Sequence, residues 1–105
     1  MDMILKICIA DGTSIVIDGF DIISMYTSIP NVEVEHSGYS WRENYYYDLL
    51  NYLNEYKYLS IKRHDCNDEL KYRNHDYTFQ NGDFKHNTPL FLKTSNIITI
   101  IDMYD

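Results

Sequence analysis

Glycine, proline, cysteine and tryptophan are all scarce in this chain: 4, 2, 2 and 1 among 105 residues. Two cysteines, Cys8 and Cys66, make no disulfide framework and fit a reducing compartment. No Cys-x-x-Cys or His-x-x-x-His element occurs, so His36, His64, His75 and His86 with Cys66 match no zinc pattern, and no metal or other cofactor is expected. The carboxylates Asp65, Asp68, Glu69 and Asp76 lack the glycine and terminal glutamate of a calcium loop. His64 and Cys66 lie two residues apart in a polar stretch without an orienting partner or oxyanion hole, which predicts no catalytic residues and no enzyme. The scattered glycines form no phosphate cradle.

Basic residues are also few. Lys and Arg number 9 against 16 Asp and Glu, a net charge of −7. Such a chain repels a phosphate backbone and an anionic membrane surface, so neither nucleic acid nor membrane is the expected partner. No apolar run approaches the ~20 residues of a membrane helix, and no secretory leader is evident. A soluble intracellular protein of the cytoplasm or nucleus is expected. The abundance of Ile, Asn, Tyr and Lys reads as an AT-rich coding genome, and a virus, parasite or bacterium would fit. A single domain is expected over residues 1–105, burying ~65% of its unfolded surface.

What is present begins with a hairpin. Leu5-Lys6-Ile7-Cys8-Ile9-Ala10, Asp11-Gly12 and Thr13-Ser14-Ile15-Val16-Ile17-Asp18 spell two alternating strands around a turn. Leu5, Ile7, Ile9, Ile15 and Ile17 share one face. Ile4, Cys8 and Val16 make the opposite face partly apolar, so something is expected to cover it.

Apolar positions 22, 23, 25, 26 and 29 predict a short helix closed by Pro30. Asn31–His36 alternates and predicts a strand. Ser40 and Glu43 have capping-box spacing, so a helix is expected from Trp41, with Trp41, Tyr45, Leu49, Tyr52, Leu53 and Tyr56 as its inner stripe. Tyr45-Tyr46-Tyr47 cannot all face inward at 100° per residue. Residues 62–87 are polar with scattered aromatics and read as loop-rich, Tyr77–Gln80 forming a short strand before Asn81-Gly82. Thr88-Pro89 and the isoleucines beyond predict a C-terminal helix.

The order β-β-α-β-α, a polar segment and a final helix resembles the BTB/POZ fold, and the residues resemble its elongin C and Skp-type members, adaptors of cullin ubiquitin ligases. Leu5-Lys6-Ile7, the three residues after it, Asp11-Gly12 and Ile15-Val16-Ile17 match that subgroup's opening, and Leu92–Ile100 keeps its Asn96 and aliphatic spacing. Thr94-Ser95 stands where the family has an alanine pair, and Asp102 where Skp members carry glycine. The matching blocks cover about a quarter of the chain. Ending at Asp105, the chain resembles the elongin C plan more, since Skp adaptors continue into further helices.

The resemblance implies an α+β domain with a small mixed sheet of about three strands and a cluster of helices. It implies a non-enzymatic adaptor that links a substrate-receptor box helix to a cullin. The implied groove anchors are Ile97, Ile100, Ile101 and Tyr104. Tyr46, Tyr47, Tyr58 and Tyr72 are candidates for the cullin or another contact, and a ubiquitin-like subunit would cover Ile4, Cys8 and Val16. Tyrosine, 11 in this chain, is enriched at protein interfaces. A rival reading is a small acidic inhibitor, encoded by a virus or phage, that blocks a basic nucleic-acid-binding surface of a host factor. A third is a self-associating domain of the same fold, which would be a homodimer.

Overall fold

A computed structural model of the chain describes residues 3–37, 40–62, 69–72, 75–78 and 89–103, the segments 69–72 and 75–78 by their backbone. The protein is a small mixed α/β fold, mostly strands, with one helix among the described residues. Strands β1 (Ile4–Ile9) and β2 (Ser14–Asp18) form the expected hairpin. Ile9 N–H donates to the Thr13 carbonyl at 2.9 Å and closes a loop that ends on Gly12 at φ 88°. A three-residue hairpin loop needs that left-handed position, and glycine adopts it without strain. The Asp11 carboxylate accepts from the Thr13 N–H at 3.0 Å and fixes the turn.

Strands β3 (Ile22–Ser28) and β4 (Asn31–His36) form a second hairpin, whose turn holds a cis Ile29–Pro30 peptide. The helix expected over residues 20–29 is therefore a strand. Apolar positions 22, 23, 25 and 26 satisfy a helical stripe, but they also place Ile23 and Met25 on one face of a strand and Ser24 and Tyr26 on the other. The β-branched isoleucines and pairing on both sides, to β4 and to β5 (Tyr58–Lys62), decide for the strand.

The helix α1 spans Tyr45–Glu55 and begins four residues later than the capping box predicts. Asn44 is its N-cap, with no side-chain cap bond. Ser40 is engaged elsewhere: its Oγ accepts from the Ser37 N–H at 2.9 Å and hydrogen-bonds His36 Nδ1 at 3.0 Å. Trp41, Tyr45 and Leu49 are buried, and Tyr52, Leu53 and Tyr56 pack against them, so the expected stripe is the inner one.

The C-terminal helix of the expectation is absent. In its place stand β8 (Leu90–Lys93), one 3-10 turn (Thr94–Asn96) and β9 (Ile97–Asp102). The cause is a bulge. Cys8 is opposite Thr99 while Ile9 is opposite Ile97, which leaves Ile98 as an extra residue on β9. That insertion puts Ile97 and Ile100, three apart, on the same inner face, which imitates helical spacing. Residues 62–87 include the β6 (Glu69–Tyr72) and β7 (His75–Thr78) hairpin, so Tyr77-Thr78 lies in a strand while Phe79 through Gly82 fall outside the described residues.

Two antiparallel sheets result, β2-β1-β9 and β4-β3-β5-β8, beside the separate β6-β7 pair. The chain crosses between the sheets after β2 and again at the 3-10 turn, where the Asn96 carbonyl accepts from the Ala10 N–H at 2.7 Å. Leu5, Ile7, Ile15, Ile17 and Ile100 of the first sheet, Ile23, Met25, Leu59 and Ile61 of the second, and Leu49 of α1 share one core. The expected single small sheet with a cluster of helices is thus replaced by two sheets and a single described helix.

Candidate functional site

The inner faces of both sheets are consumed by the core, so the chemistry available to a partner lies on their outer faces. On the β2-β1-β9 sheet the pleat turns Ile4, Lys6 and Cys8 outward from the central strand. Register then aligns the neighbours: Val16 and Ile101 flank Lys6, while Ser14 and Thr99 flank Cys8. The Met103 N–H donates to the Ile4 carbonyl at 2.8 Å and extends the ladder past β9. Four large apolar side chains meet solvent there: Ile4 at 38%, Val16 at 43%, Ile101 at 46% and Met103 at 49% exposure. Half-buried Lys6 is the cation among them.

The two outer strands of this sheet, β9 and β2, both have neighbours. Helix α1 lies along β9, where the Tyr46 hydroxyl donates to the Ile100 carbonyl at 2.7 Å and the Tyr45 hydroxyl to Asp102 Oδ2 at 3.0 Å. The backbone of β6 approaches β2. With these neighbours in place, Ile4, Val16, Ile101 and Met103 remain exposed.

This face collects the expected sheet-face residues Ile4, Cys8 and Val16, and adds Ile101 and Met103. The helix-groove set is dispersed. Ile97 and Ile100 are core residues on the inner side of β9, Ile101 points the opposite way because alternate strand residues do, and Tyr104 lies outside the described residues. The tyrosines do not gather either. Tyr47 is exposed on α1 with its ring edge-on to Tyr46 at 5.6 Å, Tyr58 sits on β5 opposite Tyr26 and Lys93, and Tyr72 belongs to β6, described by its backbone alone.

A second arrangement is not among the sequence expectations. On the outer face of the four-stranded sheet, register aligns Glu35, Ser24, Ser60 and Phe91 across β4, β3, β5 and β8. The Ser24 hydroxyl donates to Glu35 Oε2 at 3.1 Å, and the Tyr26 and Ser60 hydroxyls are hydrogen-bonded at 2.8 Å. Alternation in Ile23-Ser24-Met25 is the signal that could have found them, but the neighbouring serine comes from a distant strand.

Around α1, His36 clasps the helix to β4: its Nε2 hydrogen-bonds the Tyr52 hydroxyl at 3.0 Å, and its ring stacks on Trp41 at 4.4 Å. Burial, then the negative charges of Asp48, Tyr56 and Glu55, hold the Tyr52 phenol above its ordinary 10.0. Partial burial, then Glu55 and Glu33, raise Tyr56 in the same sense.

Among the described residues no group of three or more His, Cys, Asp or Glu could hold a metal ion. His64, Cys66, His86, Asp65 and Asp68 lie outside them, and the side chains of Glu69, His75 and Asp76 are not described. No described helix is long and apolar enough to cross a membrane. No family model, curated protein or solved structure matches the chain.

Proposed function

We propose that the protein is a non-enzymatic protein-binding module that docks its partner on the outer face of the β2-β1-β9 sheet. One observation carries this reading: Ile4, Val16, Ile101 and Met103 lie together, exposed, on one sheet face. Apolar side chains clustered in that way gain about 25 cal/mol per Å² when a partner removes them from water. The partner must also supply an acceptor, because covering half-buried Lys6 without one leaves a desolvated ammonium. A net charge of −7 favours a partner that is basic beyond the apolar contact.

Within the elongin C and Skp-type adaptor reading, this is the face that a ubiquitin-like subunit would take. The receptor-box groove has no support from Ile97 and Ile100, which are core, so the contacts to a box helix and a cullin rest on the resemblance alone. The charge favours a second reading, an acidic inhibitor of a basic nucleic-acid-binding surface. The two differ in salt response.

Affinity capture from native extract with the wild-type chain and with Ile101→Asp/Met103→Asp tests the proposal. A partner held by the apolar face falls at least tenfold in the double variant and persists at about 1 M salt, where the screening length is ~3 Å. A partner lost in salt but retained by the variant overturns the docking face and supports the acidic inhibitor. The same partners held by both proteins in both conditions contradict the two readings together.

A further inference from the structure

The hydroxyls on the outer face of the four-stranded sheet present the opposite anomaly to the apolar face: Ser24 and Ser60 are outward-facing yet only 4% and 2% exposed. They form the floor of a cleft of about 340 Å³, bounded by Tyr26, Glu35, Lys62 and Pro89. We propose that this cleft is a binding site for a small, neutral, polyhydroxylated ligand of the sugar or cyclitol class.

The hydrogen-bonding capacity of the lining selects that class. Ser24 spends its proton on Glu35 and keeps acceptor lone pairs. Between Tyr26 and Ser60 one hydroxyl donates to the other, so the pair retains one O–H to give. Glu35 has acceptor capacity beyond the single Ser24 bond, and its two oxygens match a pair of neighbouring hydroxyl groups. Lys62 adds donors from the next position along the β5 face. Donors and acceptors therefore alternate around the cleft, and each hydroxyl of a polyol is both.

Charge argues the same way. One carboxylate and one ammonium line the cleft, so attraction and repulsion offset for an anion or a cation, and neither gains the net electrostatic advantage that would favour it over a neutral ligand. Ile22, Pro89 and the Tyr26 ring, which leans on Phe91 at 5.3 Å, supply an apolar surface for the C–H face of a ring. The volume lies within the range of small-molecule sites.

Amide chemical shifts of the intact chain, titrated separately with D-glucose, D-ribose, myo-inositol, inorganic phosphate and tetramethylammonium, test the proposal. At least one polyol should give saturable shifts at Ser24, Tyr26 and Ser60 with a dissociation constant of about 1–10 mM, as expected for a ligand of roughly a dozen heavy atoms. Glu35→Gln, a nearly isosteric change at an exposed side chain, should weaken that binding about tenfold with the rest of the spectrum unchanged. If Glu35→Gln disturbs the fold, Lys62→Met serves in its place and should weaken binding severalfold. Absence of saturable shifts with all three polyols, a stronger response to phosphate or tetramethylammonium, or unaltered affinity in the folded variant overturns the site.

Discussion

The two sheets depart from the ordinary inside–outside pattern in opposite senses. Across β2-β1-β9 the outer face leaves isoleucine, valine and methionine in water, whereas across β4-β3-β5-β8 the outer face withdraws serine and tyrosine hydroxyls from it. Exposed apolar surface of this kind is relieved by a partner. Withdrawn hydroxyls are tolerated because they bond one another and Glu35. A single core serves both sheets, so the difference belongs to the outer faces alone, and it is why the two proposals fall on different faces.

The largest effects distinguish inside from outside on the first sheet. Ile100→Asp places a carboxylate in the shared core and should cost more than ~4 kcal/mol, enough to unfold the chain, while Ile101→Asp one residue on should change stability by less than ~1 kcal/mol. Urea midpoints of the two variants check this, and equal losses would mean that Ile101 is covered from within.

On the second sheet the hydroxyl pair should behave as a unit. Tyr26→Phe and Ser60→Ala should each cost about 1–3 kcal/mol, since each strands a buried partner, and the double variant should cost less than the sum of the two. Strict additivity in denaturant unfolding would dissolve the network. Tyr46→Phe, which removes the bond to the Ile100 carbonyl, should cost about 1 kcal/mol and loosen α1 from β9, read as faster amide exchange in the helix.

The smallest effect lies on α1, remote from the contrast between the sheets. Tyr52 and Tyr56 titrate higher in the folded protein than their ordinary 10.0, so the fold favours the protonated phenol. Their contribution is fully present below that value and is lost as pH rises through the raised values. Urea midpoints across about pH 9 to 11 should therefore fall, and Tyr52→Phe should flatten the fall. An unchanged slope in that variant would remove Tyr52 as its source.

The first hairpin, strand β4 and the inner stripe of α1 are legible in the sequence because each is a local pattern with one period. Ile4, Cys8 and Val16 are legible as an outer face for the same reason. Strand β3 is ambiguous because its isoleucines satisfy both periods, and only pairing to β5, more than thirty residues along the chain, resolves it. Strand β9 misleads because the bulge at Ile98 lends a strand the three-residue spacing of a helix. The helical spacing thus presents Ile101 as a groove anchor when it is a sheet-face residue, and no periodic pattern marks Met103. The hydroxyls of Ser24 and Ser60 were out of reach because their juxtaposition exists only across paired strands.

If the outer face of β2-β1-β9 is the surface that meets the partner, isoleucine methyl spectra of the chain, free and bound to the captured partner, will report it. Ile4 and Ile101 should show the largest shifts, with Ile22 on the outer face of the other sheet and Ile29 at its exposed turn unmoved. Shifts centred on Ile22 or Ile29, with Ile4 and Ile101 unmoved, would put the partner on the other sheet and rule out docking on β2-β1-β9.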